Sequence, residues 1–165
     1  RFRKGSCSWS GPGSGLGKWN SEARGAMPYL LDTTVLSETA RAEPHPGVLA
    51  WMRSLDPLEA YLSVLTLGEI GKGLSLMPPG PRKRALRNWL GHDLLERFRG
   101  RVLAIDTDVA LAWGRLDAEG RRIGRPLPVI DGLLLATAST HGLTFVTRNL
   151  RDCGDRGVEV VDPWE

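Results

Sequence analysis

Four carboxylates of this 165-residue chain stand at the boundaries between apolar, β-type runs and the helices that join them. Asp32 follows Tyr29-Leu30-Leu31 directly, and Glu69 lies beyond Tyr61–Leu65 in the first turn of a helix that Thr66 is expected to open. Asp131 starts the helix that leads into Leu143–Val146, behind Pro126 and Pro128, and Asp152 sits in the loop after that run. In an open parallel sheet, ligands gather at the carboxyl ends of the strands, so positions this far apart in sequence can share one edge. Carboxylates brought together repel, and a hard divalent cation resolves the repulsion. Mg²⁺ or Mn²⁺ prefers oxygen ligands and keeps several waters, so one or two carboxylates bind directly while others act through water. Such an ion activates water and stabilises negative charge on a phosphodiester under in-line attack. An acid-rich site with basic groups nearby therefore points to nuclease chemistry. His45, His92 and His141 are dispersed and offer no zinc-type ligand set.

Each acid also has a purely structural explanation. Asp32 can cap the helix that follows it. Thr66-Leu67-Gly68-Glu69 has the form of a capping box, in which Glu69 would only reach back to a backbone N–H. Asp131 gains from the positive end of its helix dipole, and an Asp at 152 suits an Arg-rich turn. Jointly these explanations weaken, because all four residues fall on one expected edge.

The elements that must position the acids alternate along the chain. Apolar runs at Tyr29–Leu31, Tyr61–Leu65, Val102–Ile105, Leu143–Val146 and Val158–Val161 are separated by amphipathic stretches near Val48–Ser54, Thr66–Leu76, Pro81–Phe98, Asp108–Glu119 and Val129–Thr140. Strands separated by helices imply βαβ units. The expected fold is a three-layer α/β/α domain with a parallel sheet of about five strands. Pro78-Pro79-Gly80 separates two helices, residues 120–128 form a loop, and His141-Gly142 closes a helix with Gly just past its end. Trp51, Trp89 and Trp113 fall on apolar helix faces, as core or interface residues rather than base-stacking platforms.

Residues 1–26 differ from the rest. They hold six Gly and five Ser, with Trp9 and Trp19 isolated among them and no helical or strand period. They are expected to be a disordered extension, from an over-extended gene start or a cloning remnant, with the folded domain spanning 27–165. They also carry the net positive charge: five basic residues against Glu22 give +4, in a chain of net charge +3. What matters beyond them is clustering. Arg82, Lys83, Arg84 and Arg87 form one basic group and Arg121, Arg122 and Arg125 another, and either could meet phosphates if it is more than a solvated face. No apolar run approaches a membrane span, and no apolar stretch follows Arg1, Arg3 and Lys4 as a secretory signal would require. Two cysteines, Cys7 and Cys153, are too few for a disulfide framework, so the expected compartment is the reducing cytoplasm.

Several runs resemble PIN-domain ribonucleases of the VapC type, the toxin half of type II toxin–antitoxin pairs. They are Leu30-Leu31-Asp32-Thr33-Thr34-Val35-Leu36-Ser37-Glu38, Leu62-Ser63-Val64-Leu65-Thr66-Leu67-Gly68-Glu69-Ile70, and Pro128-Val129-Ile130-Asp131 through Val146-Thr147-Arg148-Asn149 to Asp152, with the ending Val160-Val161-Asp162-Pro163-Trp164. The resemblance spans nearly all of residues 27–165 in the expected order. It implies a Mg²⁺-dependent endoribonuclease whose site uses Asp32, Glu69, Asp131 and Asp152. Asp32 and Asp131 match the acids that bind the metal directly, Glu69 and Asp152 would complete the metal and water network, and Thr147 and Asn149 would hold it in place. The resemblance also implies a homodimer and a cognate antitoxin that inserts a segment near the active site. Three positions depart from the pattern: Thr34 where Asn is common, Gly132 where Ala is usual, and Cys153 where an aromatic often follows the last acid.

Other readings fit less well. A haloacid-dehalogenase-type phosphatase needs a second Asp two residues after the first, where this chain has Thr34. A nucleotide-binding protein of the Rossmann or P-loop kind needs a glycine fingerprint that follows no strand here. The alternative of another class is a catalytically inactive PIN fold that only binds RNA or a regulatory partner. Retention of all four carboxyls argues against it, because clustered charge without a cation gives a structural protein little.

Overall fold

The computed structural model describes residues 28–41 and 43–165. The disorder expected of residues 1–26 lies outside the described residues. The elements follow in the order β1 (Tyr29–Leu31), α1 (Thr33–Thr39), α2 (Pro46–Ser54), β2 (Ala60–Ser63), α3 (Val64–Leu76), α4 (Pro81–Asn88), α5 (Leu95–Arg97), β3 (Val102–Leu103), α6 (Thr107–Arg122), α7 (Val129–His141), β4 (Thr144–Val146), α8 (Leu150–Cys153) and β5 (Val160–Val161). A six-residue π segment, Trp89–Leu94, joins α4 to α5, so the single helix expected over Pro81–Phe98 widens in its middle.

The five strands form one parallel sheet in the order β3-β2-β1-β4-β5. Alternate residues of each central strand serve opposite layers. Leu31, Leu62 and Val146 enter one core with Val35, Leu36, Val48, Leu94 and Phe98; Leu30 and Phe145 enter the other with Leu134, Leu135, Ala138 and Cys153. A parallel sheet buried on both faces needs apolar side chains in both directions, which is why its strands read as continuous apolar runs. The three-layer α/β/α architecture is the one expected. The strands are shorter than their apolar runs, because the ladder ends where the carboxyl edge opens. Trp51, Trp89 and Trp113 are partly buried and pack against these cores, as expected.

Starting from β1, the chain first builds toward β2 and β3 and then returns to β4 and β5. The order therefore reverses between β1 and β4, the topological switch point at which open sheets form a crevice. Two backbone bonds extend the ladder across this edge: Asp32 N–H donates to the Val146 carbonyl at 3.0 Å, and Thr147 N–H to the Val161 carbonyl at 3.0 Å. Gly142, at φ 63°, ends α7 in the left-handed conformation that a side chain would resist, and the Leu143 N–H closes on the Ala138 carbonyl at 2.9 Å. That reversal sends the chain into β4, antiparallel to α7, and so brings the start of α7 back beside the end of β4. No helix among the described residues is long and apolar enough to cross a membrane.

Candidate active site

Asp32 is the hub. It is 9% exposed, at the N-cap of α1, and both of its carboxylate oxygens are engaged. Oδ1 accepts from the Thr33 N–H at 2.6 Å, and Oδ2 accepts from the hydroxyls of Thr34 and Thr147, each at 2.7 Å. The capping role and the site role thus coincide in one residue. Thr34, the departure from the expected Asn, supplies a donor to the same carboxylate. Thr147 is fully packed and also accepts from the Asn149 N–H at 3.1 Å. Asn149 in turn donates through Nδ2 to Asp131 Oδ2 at 3.0 Å.

The other arm runs through Thr33. Its hydroxyl donates to Glu69 Oε2 at 2.5 Å while its N–H holds Asp32, so a hydrogen-bonded line connects Asp131, Asn149, Thr147, Asp32, Thr33 and Glu69. Thr33 carries no assigned role in the sequence reading. The available signal was its position directly after Asp32, where a first-turn hydroxyl can face a neighbouring helix.

The capping-box expectation for Glu69 is corrected. Helix α3 starts at Val64, with Ser63 as N-cap accepting from the Leu65 N–H at 3.2 Å, and Thr66 is buried inside the first turn. Glu69 therefore lies in the second turn, beyond reach of the cap, and its carboxylate turns to Thr33 instead. Asp131 is in the first turn of α7 as expected. Asp152 is not in a loop but within α8, next to buried Cys153, and its carbonyl accepts from Arg156 Nε at 2.6 Å. Cys153 fills the core where an aromatic was the usual residue. Burial, helped by the charges of Asp131, Asp32 and Asp152, pushes its thiol up to about 12, so it remains a neutral packing group.

Electrostatics tie the fourth acid to the other three. Partial burial raises the Asp131 carboxyl above its usual range, and the charges of Asp32, Glu69 and Asp152 raise it further against the opposing bond from Asn149. Hydroxyls, a backbone N–H and an amide hold Asp32, Glu69 and Asp131, and none of the ion pairs among the described residues involves one of the four acids. Among the described residues, no three His, Cys, Asp or Glu side chains stand close enough to grip one ion together. The donor set nevertheless suits a hard cation: every candidate ligand is a carboxylate oxygen, and Mg²⁺ takes only one or two carboxylates beside its waters.

Gly132, which stands where Ala is usual in the family pattern, has a packing explanation. A Cβ at this position would lie 3.0 Å from Trp113 Cδ1 and 3.1 Å from Nε1, so the indole of α6 occupies the space of the missing methyl. The glycine admits Trp113 against the turn that carries Asp131, in addition to weakening the helix.

A five-stranded parallel sheet with acids gathered at its switch point defines a class of protein, and the PIN domain family profile matches residues 29–151. The chain belongs to the PIN domain family, and its similarities lie with the VapC-type toxins within it. It is 36% identical to "VapC ribonuclease Y4jK" of Sinorhizobium fredii over 82% of this chain and 97% of that protein. It is likewise 36% identical to "Toxin FitB" of Neisseria gonorrhoeae over 82% of this chain and 97% of the relative. The crystal structure of FitAcB from Neisseria gonorrhoeae superposes with a TM-score of 0.80 at 35% identity, covering 83% of this chain and 99% of that one.

Proposed function

We propose that this protein is a Mg²⁺-dependent endoribonuclease, Mn²⁺ being the nearest substitute, and the toxin component of a type II toxin–antitoxin system. The observation that carries the reading is the set of carboxylates at one sheet edge, with Asp131, Asp32 and Glu69 on one hydrogen-bonded line and Asp152 within electrostatic reach of Asp131, paired with no cation among the described residues. Stored repulsion of this kind serves a bound cation, and relatives named ribonuclease and toxin support RNA as the substrate.

In this reading Asp32 and Asp131 hold the ion, fixed by the hydroxyls of Thr34 and Thr147 and the amide of Asn149. When bound, the ion supplies an activated water and charge stabilisation at the phosphodiester. Glu69 uses Oε2 to accept from Thr33, which leaves Oε1 to orient a water for in-line attack. Asp152 adds negative potential at Asp131 and would complete the water network. As the new P–O bond forms, the attacking water releases a proton to solvent, the bond opposite breaks and the leaving oxygen takes a proton from solvent. The protein acts in the cytoplasm as a homodimer, and a cognate antitoxin keeps it inactive by placing a segment near these acids. Exposed apolar residues at the start of α7, Val129 at 58% and Ile130 at 36%, support a protein partner beside the site.

The test is cleavage of RNA by the purified protein with Mg²⁺. Activity that EDTA and Asp32→Ala both abolish supports the reading. RNA binding without cleavage under all divalent ions would leave an inactive binding module instead.

A further inference from the structure

Of the two arginine clusters that the sequence offers to phosphates, the fold occupies one and leaves the other open. Arg121 Nε donates to Asp117 at 2.7 Å, Arg122 to Glu119 at 3.3 Å, and Arg125 to the Arg151 carbonyl at 3.0 Å. Helix α4 differs. Its eight residues, Pro81–Asn88, carry four cations and no acid. Lys83 reaches back to the carbonyls of Ser75 and Met77, at 3.3 and 2.8 Å, and so fastens α4 to the end of α3. Arg82, Arg84 and Arg87 are exposed, with no hydrogen bond or ion pair to another described residue.

Like charges three and four residues apart on one helix repel. Nothing among the described residues offsets that cost on α4. Arg84, Arg87 and Lys83 line a depression of about 200 Å³ with Pro79 and Gly80, and the first-turn amides beside it have no side-chain cap. The depression is concave and open, and the unpaired guanidiniums of Arg84 and Arg87 among its lining residues suit an anion with several oxygens. Its place in the fold gives it a use. The chain reaches it from Glu69 along α3, whose end lies about 10 Å further on at the rise of an α-helix. A centre of four carboxylates repels the polyanion it has to bind, so the attraction must come from outside the acid cluster.

We infer that the Arg84 and Arg87 face of α4 grips backbone phosphates of the RNA a few nucleotides from the bond that is cut. This inference rests on the ribonuclease reading above. Guanidinium–phosphate contacts carry no base information, so the face contributes affinity and register for any single strand and leaves sequence choice to the loops at the sheet edge.

The experiment compares the full chain with its Arg84→Gln/Arg87→Gln variant, using a fluorescein-labelled single-stranded RNA in EDTA so that no cleavage occurs. Anisotropy is read between about 50 and 200 mM salt, and the expected result is a salt slope shallower by about 1.4, from ~0.7 per lost phosphate contact. Affinity at the low-salt end falls at least about tenfold. The Arg121→Gln/Arg122→Gln variant keeps wild-type affinity and slope, and neither variant melts more than about 2 °C below the wild type. An unchanged slope in the α4 variant overturns the inference, as does a wild-type chain that fails to bind this RNA. Loss of binding to a labelled poly-glutamate peptide with RNA binding intact would assign the face to an acidic protein segment and also overturn it. Cleavage of the same RNA by the wild type with Mg²⁺ is scored separately: its absence overturns the ribonuclease reading, whereas normal cleavage beside an unchanged α4 variant overturns only the phosphate contact.

Discussion

Glu69 and Asp131 illustrate how one carboxylate differs from another by what surrounds it. Glu69 lies too deep in α3 to cap it, and its amide variant retains an oxygen for the Thr33 hydroxyl. Glu69→Gln is therefore expected to shift the melting temperature by less than about 2 °C, since uncrowded polar exchanges fall within about 0.5 kcal/mol. The same variant should lose at least ~10-fold in RNA cleavage at saturating Mg²⁺, the scale on which groups supporting a metal site act. Wild-type turnover by this variant would reduce the site to three acids. Asp131 makes a prediction of opposite sign for stability. Its carboxyl is raised above the ordinary aspartate value of 3.8, so the native state binds its proton more tightly than the unfolded chain does. Its contribution is thus a loss of stability that is absent below pH 3.8, grows as pH rises through the native value, and is complete above it. Asp131→Asn should raise the metal-free melting temperature at neutral pH, and thermal scans should show the gain shrinking as the pH falls toward that limit, while cleavage is lost at every pH. A variant equally stabilised at both ends of the range would contradict the electrostatic origin.

At the scale of elements, the contact between α6 and α7 decides how the Asp131 turn is held. Gly132 and Trp113 behave as a pair, because the indole sits where a methyl would be. Ala at 132 gains about 1 kcal/mol of helix propensity, and the crowding it causes costs about 1–3 kcal/mol. Gly132→Ala should therefore be neutral to destabilising in the native chain and stabilising by about 1 kcal/mol once Trp113→Leu has opened the space. A double-mutant cycle in urea should return a coupling of at least about 0.5 kcal/mol. Additive effects would show that Trp113 moves aside freely. At the other end of the chain, Trp164 is fixed by a bond from its N–H to Asp162 at 2.8 Å, and the Arg148 guanidinium lies 5.6 Å from its ring centroid. The terminal segment therefore braces the loop that bears Thr147 and Asn149.

For the whole molecule, the proposed ion links site and fold. A ligand present at about 100 times its dissociation constant adds ~2.7 kcal/mol to a state that alone binds it. For a domain of this size that corresponds to roughly 5–10 °C in melting temperature. Mg²⁺ should stabilise the wild type by that order and should not stabilise Asp32→Asn, a comparison that calorimetry can make without any RNA. Equal stabilisation of both would place the ion elsewhere.

The alternation of apolar runs and amphipathic stretches was enough to determine an α/β/α sandwich, because a parallel sheet buried on both faces leaves a local periodic signature in each element. It was also enough to place Asp32, Asp131 and Gly142, since each sits at the boundary of its own element and depends on neighbours in sequence. Tertiary structure alone decided the rest. Whether Glu69 caps a helix or meets Thr33 depends on a start at Ser63 and on a partner 36 positions away. The loop expected around Asp152 is the short helix α8, held by Cys153 in the core, and four residues are too few to show a period. The same limit applied to the arginines: composition offered two equal clusters, and only packing revealed that one is spent on Asp117, Glu119 and a backbone carbonyl. Periodicity records what each residue does for its own element, whereas a hydrogen bond across elements is set by the distance between them, which no stretch of sequence contains.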